Sequence, residues 1–258
     1  MNNRQELQAS ALAGLKGIIF DYGGTLDTCG QHWGKKLWHA YERQQVPVAE
    51  QQFRDAYVYG ERTLGRNPII KPDYTFYRTL STKIRLEMEH LCTNGAWDAS
   101  EEDFKQKHQA VLDDVYAEVK ATTAHSFEVL SKLSERFPMV LVSNFYGNIE
   151  CVLREFGLDR FFPSIVESAV VGIRKPDSRI FELGVVALKG TDSASKISPQ
   201  DVLVVGDSFY KDILPAQKAG CHTAWFKGEG WTEETYDETI PDMVITDLSQ
   251  LLCLLGEN

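Results

Sequence analysis

Three polar residues stand at the ends of short apolar runs, where buried strands of a parallel sheet would finish. They are Asp21, Ser143 and Asp207. Because ligands of parallel α/β sheets bind outside the carboxyl ends of the strands, these side chains and Lys175 would converge on one crevice. A group of carboxylates with a main-chain carbonyl is a hard oxygen site, of the kind that binds Mg²⁺ together with a phosphate group. Asp21 could then attack phosphorus to form an aspartyl-phosphate, while Mg²⁺ and Lys175 neutralise charge on the transferring group.

Strands that alternate with helices must hold these residues in place. Apolar runs without alternation predict strands buried on both faces. Five such runs occur, at 18–20, 139–142, 202–205, 223–226 and 243–245. Between them, helical spacing predicts one helix that begins near Ile149 and is capped by Gly157, and a second with Pro176 in its first turn. The alternation predicts an α/β fold with a doubly wound parallel sheet.

The stretch between the first two apolar runs has a different pattern. Four amphipathic segments with helical spacing follow one another there, and no strand pattern interrupts them. We therefore predict a core formed by residues 1–29 and 122–258, with an all-helical cap at 30–121 inserted after the first strand.

Four short motifs occur in an order that is typical of one enzyme family. They are Asp21-Tyr22-Gly23-Gly24-Thr25, Ser143-Asn144, Lys175 before Pro176, and Gly206-Asp207 with Asp212 five residues after Asp207. In these motifs the chain resembles the haloacid dehalogenase-like (HAD) hydrolases, over most of its length outside the helical stretch. The resemblance implies a Rossmann-like core with a helical cap, and Mg²⁺-dependent hydrolysis of a small phosphorylated metabolite beneath that cap.

The resemblance also implies roles for individual residues. The implied catalytic residues are Asp21, Lys175 and Ser143. The residues implied to bind the substrate are Ser143, Asn144, Lys175 and Gly24. The residues implied to hold Mg²⁺ are Asp21, Gly23, Asp207 and Asp212.

Gly23 departs from the pattern of the family's phosphatases, which carry a second aspartate two positions after the first. That aspartate protonates the leaving oxygen and then activates water, and a positioned acid-base group contributes about 10²- to 10⁴-fold to the rate. Without it, we expect weak activity that favours good leaving groups such as aryl or acyl phosphates.

Three alternatives remain open on the sequence. The 2-haloacid dehalogenases also lack the second aspartate, but they do not use Mg²⁺, whereas Asp207 and Asp212 keep the acidic motif. The phosphonatases, which cleave C–P bonds, have a small residue at this place and need a cap lysine that forms a Schiff base. The lysines available for that role are Lys35, Lys36, Lys71 and Lys83. The third alternative is a protein that binds phosphate and Mg²⁺ with little or no turnover.

Residues just after the first motif are candidates to replace the missing acid. We rank His32 first, because its ordinary pKa suits proton transfer near neutrality. We interpret Asp27 as a turn or cap residue and Cys29 as an inert thiol.

Composition limits the partners and the location. The chain of 258 residues has a formal net charge of −10, which disfavours nucleic acid and anionic membrane surfaces. Its five cysteines are scattered, and none is spaced as Cys-x-x-Cys, so no disulfide framework or zinc site is predicted. Residues 1–8 are too polar for a secretory signal, and no run of about 20 apolar residues follows. We expect a cytoplasmic protein that is a monomer or a homodimer.

Overall fold

The structure is a computed structural model that describes residues 12, 14–191 and 196–256. Its centre is a sheet of six parallel strands in the order β3-β2-β1-β4-β5-β6. The strands are β1 (Gly17–Phe20), β2 (Met139–Ser143), β3 (Ile165–Glu167), β4 (Val202–Gly206), β5 (His222–Phe226) and β6 (Met243–Ile245). The chain turns in opposite directions from β1, first to β2 and β3 and then to β4, β5 and β6. The predicted doubly wound α/β fold is therefore confirmed.

Helices cover the sheet and build the segment that follows β1. The α-helices are α1 (Trp33–Arg43), α2 (Glu50–Arg66), α3 (Phe76–Thr93), α4 (Glu101–Leu133), α5 (Ile149–Glu155), α6 (Ser168–Val171), α7 (Arg179–Lys189) and α8 (Leu214–Lys218). A π-turn at Phe209–Ile213 leads into α8, and the described residues also form 3₁₀ segments at Asp159–Phe161, Pro199–Asp201 and Leu248–Leu255.

Local side chains explain where the helices of the inserted segment begin. Thr75 accepts a hydrogen bond from the Arg78 amide ahead of α3, and Ser100 accepts one from the Asp103 amide ahead of α4. Residues 30–121 contain helices and no strand. Helix α4 runs without a break through the predicted boundary at 121/122, and one cluster of buried apolar side chains extends from these helices to the sheet. The division into a separate core and cap remains a prediction.

Two details of the sequence interpretation were wrong. Strand β3 was not foreseen, because its sequence is Ile-Val-Glu and two apolar residues are too few to form an apolar run. Pro176 does not lie in the first turn of α7, which begins at Arg179. The Asp177 side chain accepts a hydrogen bond from the Arg179 amide at 3.0 Å, so the helix starts after the proline.

Among the residues that the structure describes, no helix combines the length and apolar character needed to cross a lipid bilayer.

Candidate active site

The register of the central strands places the motif residues side by side. Phe20 of β1 pairs with Val205 of β4, and the Asp21 amide donates to the Val205 carbonyl at 2.9 Å. Asp21 and Asp207 therefore leave adjacent parallel strands at the same edge of the sheet. This is the point at which the strand order reverses, where sheets of this kind bind their ligands.

Lys175 connects two of the predicted carboxylates. Its Nζ lies 2.7 Å from Asp21 Oδ1 and 2.6 Å from Asp212 Oδ1, and all three side chains are buried. Burial lowers the pKa of Lys175, but the two carboxylates outweigh it and hold the ammonium charged. Burial raises the pKa of Asp21 to about 6, although Lys175 opposes the shift. The floor of the site is thus a cation enclosed by acids.

The carboxyl groups of Asp21, Asp207 and Asp212 fit a hard divalent cation. One oxygen from each of them lies within 4.8 Å of the other two. Burial and the two other carboxylates raise the pKa of Asp207 well above its usual value, although the charge of Lys175 opposes the shift.

Neighbouring residues hold Asp207 in this position. Gly24 has a φ of +100°, and a Cβ there would lie 2.3 Å from Asp207 Cγ, so only glycine allows the first loop to approach. The Thr25 hydroxyl accepts from the Asp207 amide at 3.0 Å, and the Trp225 indole donates to the Asp207 carbonyl at 2.8 Å. Gly24 thus makes room for the acidic cluster, in addition to the substrate-binding role predicted for it.

The second motif divides into two roles. Ser143 is buried at the end of β2 and lines the same cavity as Asp21. The Asn144 side chain donates through Nδ2 to the Lys175 carbonyl at 3.1 Å and accepts through Oδ1 from the Lys175 backbone amide at 3.0 Å. The side chain predicted to bind substrate therefore positions the backbone of Lys175.

A cavity of about 480 Å³ lies above this cluster, between the strand ends and helices α1, α2 and α3. Its floor is formed by Asp21, Gly23, Lys175, Asp207 and Asp212. Aromatic side chains contribute much of the remaining wall, namely Trp33, Tyr57, Phe76, Phe145, Tyr146, Phe209, Tyr210, Trp225, Trp231 and Tyr236. The cavity is large enough for a small organic molecule.

A family model described as a haloacid dehalogenase-like hydrolase matches residues 15–220. The match spans most of the chain and includes every motif residue of the floor. This chain belongs to the haloacid dehalogenase-like hydrolases. It is therefore a hydrolase by family.

The relatives of this HAD-like hydrolase include a phosphatase. A glyceraldehyde 3-phosphate phosphatase from Pyrococcus furiosus is 37% identical over 99 residues, which are 38% of this chain and 38% of that protein. The chain thus matches well under half of the relative's length.

Solved structures resemble the HAD-like hydrolase over nearly its whole length. The magnesium-bound putative HAD-hydrolase YfnB from Bacillus subtilis has a TM-score of 0.57 at 20% identity and covers 94% of this chain and 99% of its own. The L-2-haloacid dehalogenase from Xanthobacter autotrophicus has a TM-score of 0.55 at 18% identity, with coverage of 94% and 98%. At these identities the likeness shows the shared fold.

The structure distinguishes among the four lysines of the inserted segment that were candidates for a Schiff base in the HAD-like hydrolase. Lys83 is the one that lines the cavity. The Lys83 ammonium pairs with Glu61 and lies 4.5 Å from the centre of the Tyr57 ring. Glu61 also accepts a hydrogen bond from the Tyr146 hydroxyl at 2.9 Å. Burial raises the pKa of Glu61, but Lys83 and Tyr146 outweigh it, so the net shift is downward and favours the ion pair.

A segment that the sequence interpretation missed closes one side of the cavity. Residues 227–232 follow β5 and line the cavity along their whole length. The Trp231 ring lies 5.0 Å from the Tyr57 ring of α2, and Arg54 of α2 donates to the Trp231 carbonyl at 3.1 Å. The segment has no regular periodicity, and its Gly-Glu-Gly-Trp sequence alone gives no sign that it contacts the inserted helices.

His32 does not suit the role of proton donor that the sequence suggested. Its Nδ1 accepts from the Gly34 amide at 3.0 Å, which makes it the N-cap of α1. Burial, followed by the charges of Lys211 and Lys83, lowers its pKa to about 4. The imidazole is therefore neutral near pH 7 and holds no acidic proton to donate. Cys29 is exposed and lies outside the cavity wall.

Proposed function

We propose that this HAD-like hydrolase is a Mg²⁺-dependent phosphatase that acts on a small phosphorylated metabolite. The observation that carries the proposal is the convergence of Asp21, Asp207 and Asp212 around Lys175 on the floor of the cavity. The three acids suit Mg²⁺, and the ion together with the buried Lys175 ammonium would supply the cationic charge that is needed where the phosphoryl oxygens lie.

In this mechanism Asp21 attacks phosphorus and forms an aspartyl-phosphate, which water then hydrolyses. Lys175 and the Ser143 hydroxyl would hold the phosphoryl oxygens, and Asn144 would keep Lys175 in place. Asp21, Asp207 and Asp212, with the main-chain carbonyl of Gly23, would hold Mg²⁺. When bound, the ion supplies positive charge that stabilises the transferring phosphoryl group.

The wall of the cavity favours substrates with an apolar or aromatic organic part. Trp33, Phe145, Tyr146 and Trp231 are only partly buried, so their rings can contact a ligand. Stacking between aromatic rings contributes about 0.5–1.5 kcal/mol per pair beyond the area buried. The relative named as a glyceraldehyde 3-phosphate phosphatase supports phosphate ester hydrolysis.

A C–P bond hydrolase is less well supported. A Schiff base requires a neutral amine, whereas Lys83 is paired with Glu61. The other three candidate lysines do not line the cavity. Their ammonium groups bind elsewhere: Lys35 pairs with Glu50, Lys36 pairs with Glu118 and Lys71 donates to the Pro68 carbonyl.

We expect the wild type to release phosphate from esters when Mg²⁺ is present and to stop when EDTA removes the ion. The measurement is steady-state phosphate release from p-nitrophenyl phosphate, a mononucleotide, phosphoserine and glyceraldehyde 3-phosphate. The two substrates that contain an aromatic ring, p-nitrophenyl phosphate and the mononucleotide, should have a higher kcat/KM than the other two. Absence of phosphate release from all four, with Mg²⁺ and intact protein, would refute the phosphatase assignment.

We expect Mg²⁺ to raise the melting temperature of the wild type but not of the Asp207→Asn variant. A ligand that binds only the native state stabilises it, and the amide removes one of the three charges that attract the ion. The measurement is thermal unfolding at increasing Mg²⁺ concentration.

The matched control for the metal experiment is Asp177→Asn. Asp177 pairs with Arg179 outside the acidic cluster, so this variant should keep the response of the wild type. An equal Mg²⁺ response in Asp207→Asn would show that the ion binds elsewhere.

A further inference from the structure

Gly23 leaves open space where the family's phosphatases carry their second aspartate. A Cβ built on Gly23 meets no atom closer than the Trp33 indole nitrogen, at 3.7 Å. A carboxyl group on a side chain at position 23 would therefore extend into the region beside that indole, above the floor of the cavity.

The Asp27 carboxyl group already occupies the vicinity of the same indole. The Trp33 Nε1–H donates to Asp27 Oδ2 at 3.1 Å, and the Gly24 amide donates to Asp27 Oδ1 at 2.7 Å. Asp27 lines the cavity together with Asp21 and Gly23. It comes from the loop after β1, four residues beyond Gly23, and that loop folds back so that Asp27 forms part of the cavity wall.

The environment of Asp27 differs from that of Asp21 and Asp212. Asp21 and Asp212 are both paired with Lys175, whereas no cation pairs with Asp27 in the part of the chain that the structure describes. Each Asp27 oxygen accepts one hydrogen bond from an uncharged donor, which leaves a lone pair on each oxygen for a proton. The group is oriented from two sides, and among the residues described the positive charge that favours its ionised form is that of Lys36, which makes no ion pair with it.

We propose that Asp27 is the general acid and base of this hydrolase and replaces the carboxyl group that Gly23 lacks. This role rests on the proposed phosphatase function. It also changes the expectation of weak activity, because the chain then has an acid for poor leaving groups.

The proton transfers balance over the two steps. In the first, an Asp21 oxygen bonds to phosphorus, the bond from phosphorus to the ester oxygen breaks, and that oxygen takes the proton of Asp27 and leaves as an alcohol. In the second, the Asp27 carboxylate takes a proton from water, the water oxygen bonds to phosphorus, and the bond from phosphorus to Asp21 breaks. Phosphate leaves, and both side chains return to their starting states.

The acidity of Asp27 agrees with this role. Burial, with a smaller contribution from the charge of Asp21, raises its pKa to about 7, although the bonds from Gly24 and Trp33 oppose the shift. An acid with a pKa near the working pH is present in both the protonated and the ionised form, as both steps require.

The test compares leaving groups in the wild type and in Asp27→Asn. For an alkyl phosphate, whose leaving oxygen needs a proton, kcat/KM should fall by about 10²- to 10⁴-fold. For p-nitrophenyl phosphate, whose leaving group departs unaided, it should fall by less than about 10-fold. Intact-mass measurement should also show a phosphate adduct that persists on the variant, because nothing activates water for the second step.

A second variant moves the carboxyl group from position 27 to position 23. Gly23→Asp combined with Asp27→Asn returns an acid to the cavity from position 23 and should recover turnover of the alkyl phosphate. Gly23→Ala combined with Asp27→Asn adds the same Cβ without the acid and should not recover it. Melting temperatures of all variants show whether each is folded at the assay temperature.

The outcomes separate the inference from the function on which it rests. A fall in kcat/KM that is equal for both substrates, with no adduct and no recovery from position 23, would make Asp27 a structural turn residue and overturn the inference. Unchanged alkyl phosphate turnover in folded Asp27→Asn would overturn it too. A wild type that hydrolyses neither ester would instead overturn the phosphatase function, and the role of Asp27 with it.

Discussion

Asp21→Asn is expected to abolish phosphate release, with a loss of more than about 10³-fold in kcat. The amide has almost the same shape as the carboxylate but is not a nucleophile at neutral pH. The substitution also removes one of the two anions that contact Lys175. Phosphate release and intact-mass measurement are the tests, and the variant should form no covalent phosphate adduct with any substrate.

Asp177→Asn is the matched control for Asp21→Asn, since it is the same chemical change two residues beyond Lys175. Its carboxylate faces Arg179 and is not part of the cavity wall. This variant should keep the turnover of the wild type. If Asp21→Asn retained a tenth of wild-type kcat, an attack by Asp21 on phosphorus would be excluded.

Lys175→Met is expected to produce the largest loss of stability among single substitutions at the site. Lys175 is 4% exposed and neutralises Asp21 and Asp212, so its removal leaves two buried carboxylates without a cation. Breaking a buried ion pair in this way costs about 3–5 kcal/mol. For a chain of this size the melting temperature should fall by about 10 °C. Mg²⁺ should restore part of the loss, because the carboxylates then regain a positive neighbour.

The control for this prediction is Lys211→Met, at an exposed lysine that lines the same cavity. It should leave the melting temperature nearly unchanged. The double variant Asp21→Asn with Lys175→Met should be more stable than Lys175→Met alone, because it removes one of the unpaired charges. A Lys175→Met protein that melts within a degree or two of the wild type would show that the acids do not depend on this ammonium.

The position of the floor residues could be predicted because it depends on strand direction alone. Apolar runs identify buried parallel strands, and the residues after them must meet at one edge of the sheet. Asp21 and Asp207 follow that rule, and β1 and β4 are indeed neighbours. The helices of the inserted segment were equally visible, because each of them has one apolar face at helical spacing.

Side-chain direction, in contrast, could not be read from the order of the residues. Asp27 and His32 both lie just after the first motif, and an ordinary pKa favours His32 as the acid. In the folded chain burial and the charges of Lys211 and Lys83 keep His32 neutral. The Trp33 indole and the Gly24 amide, in contrast, hold the Asp27 carboxyl group at the wall of the cavity.

The sequence by itself determined the family, the α/β sheet and the acidic floor, since these follow from local patterns repeated along the chain. Only the tertiary structure decided which groups surround that floor. Trp231 reaches the inserted helices from a segment after β5, and Asn144 bonds to Lys175, 31 residues away. Such contacts join parts of the chain that are far apart in sequence, and burial then sets the charge of each group, so no local pattern contains them.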